Sequence, residues 1–182
     1  RPATPRAQTR RVVVRVARLP KGSIDVGLAK YELQNMLGRG GMGVVAKAKD
    51  RLLGRSVALK TLHSGLDRDP GYRRRFLIEA QVGAQLEHPN IVPVYSIEQG
   101  EKALAFTMRL LGGQTLDAFF KECKQQVEAG AVDEDHALPE RLEIFLKVCE
   151  GVQHAHQRAL IHRDLKSSNV LVAEVDGQPV PK

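Results

Sequence analysis

The sequence predicts an α+β fold, with a strand-rich first part that carries one helix and a mostly helical second part. Three observations lead there. Five short strand-like runs fall before residue 110, and a single helical segment interrupts them. A glycine-rich stretch at 38–43 joins two of those runs directly, as a hairpin does. A long amphipathic segment from Pro139 then leads to a polar loop at 162–169, bracketed by two apolar runs.

The 182 residues are 42% hydrophobic and 27% charged, the balance of a globular chain able to bury a real core. The formal net charge of +7 suggests nucleic acid until it is located. Residues 1–21 carry seven of the 28 bases and no acid, so the remaining 21 bases meet 21 acids. The basicity belongs to a leader, residues 1–28, expected to be disordered, and nucleic acid is not an expected partner. Its apolar run Val12-Val13-Val14 is broken by Arg15, too short to span a bilayer or to act as a secretory signal. Cys123 and Cys149 have no metal-ligand spacing and read as buried or half-buried free thiols of a reducing compartment.

Ordered structure is expected from about Tyr31. Tyr31–Leu37 reads as a strand with Tyr31, Leu33 and Leu37 on one face. Gly38-Arg39-Gly40-Gly41-Met42-Gly43-Val44-Val45 fits G-x-G-x-x-G-x-V, whose glycines let backbone N–H groups approach phosphate oxygens. Dinucleotide-binding units share that glycine spacing but continue into a helix. Here Val44–Lys49 alternates and opens with β-branched residues, so a strand follows and the glycines form a hairpin lid.

After a turn at 50–55, Ser56–Leu62 is a third strand carrying Lys60. A lysine inside an apolar strand needs an anion unless it lies on the solvent face, because an unpaired buried ammonium costs several kcal/mol. Tyr72–Leu86 has helical spacing, with Phe76, Ile78, Val82 and Leu86 apolar and Glu79 midway; Pro89 ends it. His88 reads as a structural loop residue. Strands Ile91–Ile97 and Ala103–Arg109 follow, with a polar turn around Gly100 between them. Another helix is expected from about Thr115. Residues 121–138 read as a polar surface connection bearing the acidic cluster Asp133-Glu134-Asp135. Pro139 opens the long helix, whose apolar face is Leu142, Phe145, Leu146, Cys149 and Val152. His154 and His156 continue it and do not share a helical face.

The loop His162-Arg163-Asp164-Leu165-Lys166-Ser167-Ser168-Asn169 lies between strand-like runs 159–161 and 170–172. Asp164 suits the proton of an attacking hydroxyl, Lys166 the charge on a moving phosphoryl group, and Asn169 an Mg²⁺ ion through its side-chain oxygen. The loop matches H-R-D-L-x-x-x-N at every specified position and resembles the catalytic loop of protein kinases. Lys166 resembles the serine/threonine branch. Taken with the glycine loop and Val57-Ala58-Leu59-Lys60, the chain is similar to eukaryotic-like, Hanks-type bacterial serine/threonine kinases over residues 31–182.

That resemblance implies ATP and Mg²⁺ as cofactors and a protein hydroxyl on Ser or Thr as acceptor. It implies an N-lobe at 29–108, a hinge at 109–114 and part of a C-lobe at 115–182. Nucleotide contacts fall to Gly38, Arg39, Gly40, Gly41, Met42 and Gly43 of the lid and to Lys60 paired with Glu79. Leu37, Val45, Ala58 and Leu171 are its apolar walls, Met108 its back, and Arg109 and Leu111 its adenine contacts. Asp164, Lys166 and Asn169 are the implied catalytic residues, with Asn169 also the metal ligand. Related kinases often carry Gly at the Ala159 position, so a left-handed backbone there costs about 1 kcal/mol.

No Asp-Phe-Gly follows before Lys182. The sequence therefore reads as an N-terminal piece, expected to transfer phosphate poorly in isolation and to leave the apolar stripe of its long helix exposed. A cytoplasmic location is expected, with a membrane anchor of the parent protein lying outside this chain. The competing reading is a non-catalytic nucleotide-binding or scaffolding, pseudokinase-like module.

Overall fold

The computed structural model describes residues 10–14, 30–99 and 103–174. The rest of the leader, the turn around Gly100 and residues 175–182 lie outside the described residues. The N-terminal lobe is a five-stranded antiparallel sheet in the order β2-β3-β4-β6-β5. Its strands are β2 (Tyr31–Arg39), β3 (Gly43–Asp50), β4 (Arg55–Leu62), β5 (Val94–Gln99) and β6 (Leu104–Arg109), with helix α1 (Pro70–Gln85) between β4 and β5. The β3–β4 hairpin closes through the Asp50 carboxylate, which accepts from the backbone N–H groups of Leu52 and Leu53, both at 3.1 Å. Gly54 completes that turn at φ +66°.

The Asp69 side chain caps α1, accepting from the Gly71 N–H at 2.7 Å. The buried face of α1 is Phe76, Ala80 and Gly83, while Ile78 is 46% exposed. Of the apolar residues at helical spacing, Phe76 and Leu86 are buried, whereas Ile78 turns outward. A Cβ at Gly83 would meet Val94 Cγ2 at 2.7 Å, so the helix lies too close to β5 for a larger side chain. Similarly, β2 does not bury Leu33 and Leu37 beside Tyr31. Leu33 keeps its register on the Tyr31 side but is 37% exposed; the register against β3 then shifts on both sides of Met36, and Leu37 is 47% exposed.

The second lobe packs α2 (Leu116–Glu128) and α3 (Leu138–His156) around a core of Leu116, Phe119, Cys123, Ile144, Val148, Val170 and Val172. Residues 121–128 are thus the second half of α2, not a connection. Their polarity belongs to its outer face, and Cys123 is the inward residue. The link is 129–137, where Asp133 caps a 3₁₀ turn and accepts from the His136 N–H at 3.0 Å. Helix α3 buries Ile144, Val148 and Gly151, leaving Leu142, Phe145 and Leu146 more than half exposed. Cys149 lies on that exposed stripe, not in a core.

A second sheet, in the order β1-β8-β7, lines this lobe. Here β8 (Val170–Glu174) is flanked by β7 (Gln114–Thr115) and β1 (Arg10–Val14). The leader was expected to be disordered, yet its β-branched run pairs antiparallel with β8, Val12 opposite Val172. The run 159–161 is irregular instead of strand-like: Ala159 turns at φ +57°, and the Leu160 N–H bonds back to the Ala155 carbonyl at 3.0 Å. Among the described residues no helix is long and apolar enough to cross a membrane.

Candidate active site

The glycine stretch is the turn between β2 and β3. Gly43 stands opposite Leu62 of β4, and a Cβ there would sit 2.0 Å from the Thr61 carbonyl oxygen. Only glycine fits. One turn hydrogen bond, from the Gly40 N–H to the Gly43 carbonyl at 3.0 Å, closes the tip.

Strand β4 runs between β3 and β6, so Lys60 pairs with Val45 on one side and Phe106 on the other. Its ammonium turns inward. Nζ lies 2.5 and 2.7 Å from the two Glu79 carboxylate oxygens, with the side chains only 3% and 9% exposed. The rings of Phe76 and Phe106 stand 5.7 and 5.5 Å from the same nitrogen. The solvent-face alternative for Lys60 is thereby excluded. Two opposite charges in an apolar shell attract strongly, and removing either partner strands the other.

Below the sheet lies a cavity of about 200 Å³. Leu37, Val45 and Ala58 line it from the sheet, with Met108 and Arg109 at the end of β6, Leu111 from the segment after β6, and Leu171 from the other lobe. Seven residues predicted from sequence thus surround one cleft. Sequence reasoning missed Val92, Leu110, Gly113, Gln114 and Thr115 on its wall. Val92 carried a signal in the apolar run 91–94. Gly113 also did, since at φ +105° a Cβ there would meet the Val172 carbonyl oxygen at 2.1 Å. That close contact lets the hinge lie against β8. The glycines 38, 40, 41 and 43, Arg39, Met42, the Lys60–Glu79 pair and the loop residues 164, 166 and 169 are not part of this cavity's lining.

The loop after α3 precedes β8, two residues from Leu171. Arg163 adopts φ +59°, a strained conformation for a residue with a Cβ. The Asp164 N–H donates to the His162 carbonyl at 2.8 Å. Asn169 is buried and donates through Nδ2 to the Asp164 carbonyl at 2.8 Å and to its carboxylate Oδ2 at 3.0 Å. Lys166 donates to the other carboxylate oxygen, Oδ1. The Lys166 ammonium and then the Asn169 amide hold the Asp164 carboxyl below its usual range. It is an ionised, oriented, half-exposed acid.

The sequence profile of the protein kinase domain matches residues 31–180, most of the chain. This chain belongs to the protein kinase family. This kinase chain is 39% identical over 146 residues to the serine/threonine-protein kinase PknD of Chlamydia muridarum, covering 80% of the chain and 16% of that relative. It is 32% identical over 146 residues to PknD of Protochlamydia amoebophila, covering 79% and 15%. The chain therefore spans about a sixth of the length of these relatives. Among solved structures it is similar to the Mycobacterium tuberculosis PknI kinase domain, with a TM-score of 0.62 and 29% identity. That match covers 83% of this chain and 59% of the other. The kinase resembles bacterial Hanks-type serine/threonine kinases in sequence and in its two-lobed fold.

Proposed function

We propose that this kinase domain carries out ATP-dependent phosphoryl transfer to the hydroxyl of Ser or Thr in a protein. In support, the cleft has apolar walls from both lobes that suit a planar base, and the β2–β3 turn is rich in glycine, whose backbone N–H groups can approach phosphate oxygens. Leu37, Val45, Ala58, Met108 and Leu171 would enclose the base, with Arg109 and Leu111 offering backbone groups. Gly38 to Gly43 would cover the phosphates, and Lys60, held by Glu79, would meet the α- and β-phosphates. Mg²⁺, when bound, neutralises charge on the phosphate oxygens; Asn169 presents an amide to it. Asp164 orients the acceptor hydroxyl and takes its proton, and Lys166 balances charge on the phosphoryl group.

The closed, buried Lys60–Glu79 pair is the observation that carries this reading, because it sets a cation in place without leaving it to collapse onto substrate. The finer expectation is that these 182 residues alone transfer slowly. The test uses the full-length protein, Mg²⁺ and labelled ATP. Transfer onto Ser or Thr is expected, and Asp164→Asn should lower it by roughly 10²- to 10⁴-fold. No transfer, or transfer indifferent to Asp164→Asn, rejects the proposal. Nucleotide binding without transfer would instead support the scaffolding alternative.

A further inference from the structure

The tip of the glycine turn is held from below by a residue that no motif includes. His63 follows β4 directly and is 8% exposed. Its Nε2 lies 3.1 Å from the Gly40 carbonyl oxygen, and its backbone N–H donates to the Met42 carbonyl at 2.9 Å. A carbonyl oxygen only accepts, so Nε2 carries the ring proton. The other ring nitrogen, Nδ1, is buried with no hydrogen-bond partner among the described residues. The imidazole therefore makes one directed side-chain contact, and it is with the flap.

In a planar trans peptide the C=O and the following N–H point in opposite directions. Fixing the Gly40 carbonyl thus fixes the Gly41 N–H. The Gly40–Gly41 peptide has no side chain of its own to do this, and among the described residues β2 is an edge strand with no outer neighbour in the sheet. We propose that His63 is a positioning residue: its Nε2–H clamps the Gly40 carbonyl and so holds the Gly41 N–H aimed at the phosphates of bound nucleotide. The phosphate half rests on the nucleotide reading above; the clamp does not.

The 182-residue chain tests both halves separately. His63→Met keeps volume but removes the donor, whereas His63→Gln returns an N–H near the Nε2 position. Amide hydrogen exchange at Gly40, whose N–H bonds the Gly43 carbonyl within the clamped turn, should quicken about three- to tenfold in His63→Met and return to within about twofold of the parent in His63→Gln. The dissociation constant of a non-hydrolysable ATP analogue should weaken by about the same factor in His63→Met and recover in His63→Gln. Unchanged exchange in His63→Met, or exchange in His63→Gln as fast as in His63→Met, overturns the clamp. If even the parent binds no analogue while exchange behaves as expected, the clamp stands and the nucleotide reading fails. Exchange that responds while analogue affinity does not overturns the phosphate half. Should neither variant melt cooperatively, ¹⁵N shifts of the His63 ring in the parent chain decide. The Nε2–H tautomer is expected, and an Nδ1–H tautomer overturns the clamp.

Discussion

Two lysine–carboxylate pairs, one in each lobe of this molecule, differ in almost everything except chemistry. Lys60–Glu79 joins a strand to a helix with its side chains 3% and 9% exposed; Lys166–Asp164 joins two residues of one loop with side chains 33% and 50% exposed. The first is sealed among Phe76 and Phe106. In that shell water cannot replace either partner, so the pair fixes the distance between β4 and α1. The second is wet, so water can replace either partner at little cost. A kinase site needs both kinds: a charge that stays and an acid that is available.

Mutation of the sealed pair gives the largest expected effect on stability. Glu79→Ala should destabilise the fold by about 3–5 kcal/mol, because the Lys60 ammonium is left buried without its carboxylate. Lys166→Ala should change stability by less than about 1 kcal/mol. Denaturant unfolding of the two variants checks this, and equal losses would erase the distinction. Intermediate in size is Ala159→Gly. It relieves a left-handed φ of +57° beside the wet pair and should stabilise the chain by about 1 kcal/mol, read as a higher melting temperature.

Smaller effects come with pH. The carboxyl of Asp164 is lowered from 3.8 by Lys166 and then Asn169, so its contribution is present above 3.8 and lost as pH falls through the still lower folded value. Transfer by the full-length protein should accordingly show no Asp164 inflection between about pH 5 and 8. The smallest effect is expected at His154, which stacks on His88 at a ring distance of 4.8 Å. Burial first, then the charge of Arg158 and the ring of His88, lower its pKa from 6.5, and its Nε2 is buried without a partner among the described residues. The unfolded chain takes up this proton first as pH falls through 6.5, so folding weakens from there down to the lower folded value. His154→Gln should flatten the decline in melting temperature over that interval.

Much of the candidate site was legible because it consists of particular residue types at short fixed spacings. Gly38–Gly43 and His162–Asn169 are local patterns, and Lys60 and Glu79 stand out as charges within apolar elements. What could not be read depends on contacts distant in sequence. Nothing in α1 alone says that Ala80 and Gly83 face inward while Ile78 faces out; the close packing of Gly83 on Val94 decides that. The polarity of 121–128 concealed the second half of α2, because Cys123 is its only inward residue there. Val12-Val13-Val14 is strand-forming by type, but its partner β8 lies more than 150 residues away. His63 was invisible for the same reason: its role is defined by the Gly40 carbonyl, 23 positions earlier.

The most direct test of the central claim is the melting temperature of the chain as Mg²⁺-ATP is raised. The cleft is lined by residues of both lobes that are far apart in sequence, so nucleotide should bind only when the chain is folded. Melting should then climb with the logarithm of concentration, by about 2.7 kcal/mol of added stability at a hundred times the dissociation constant. A melting temperature that stays flat to millimolar nucleotide would contradict the account.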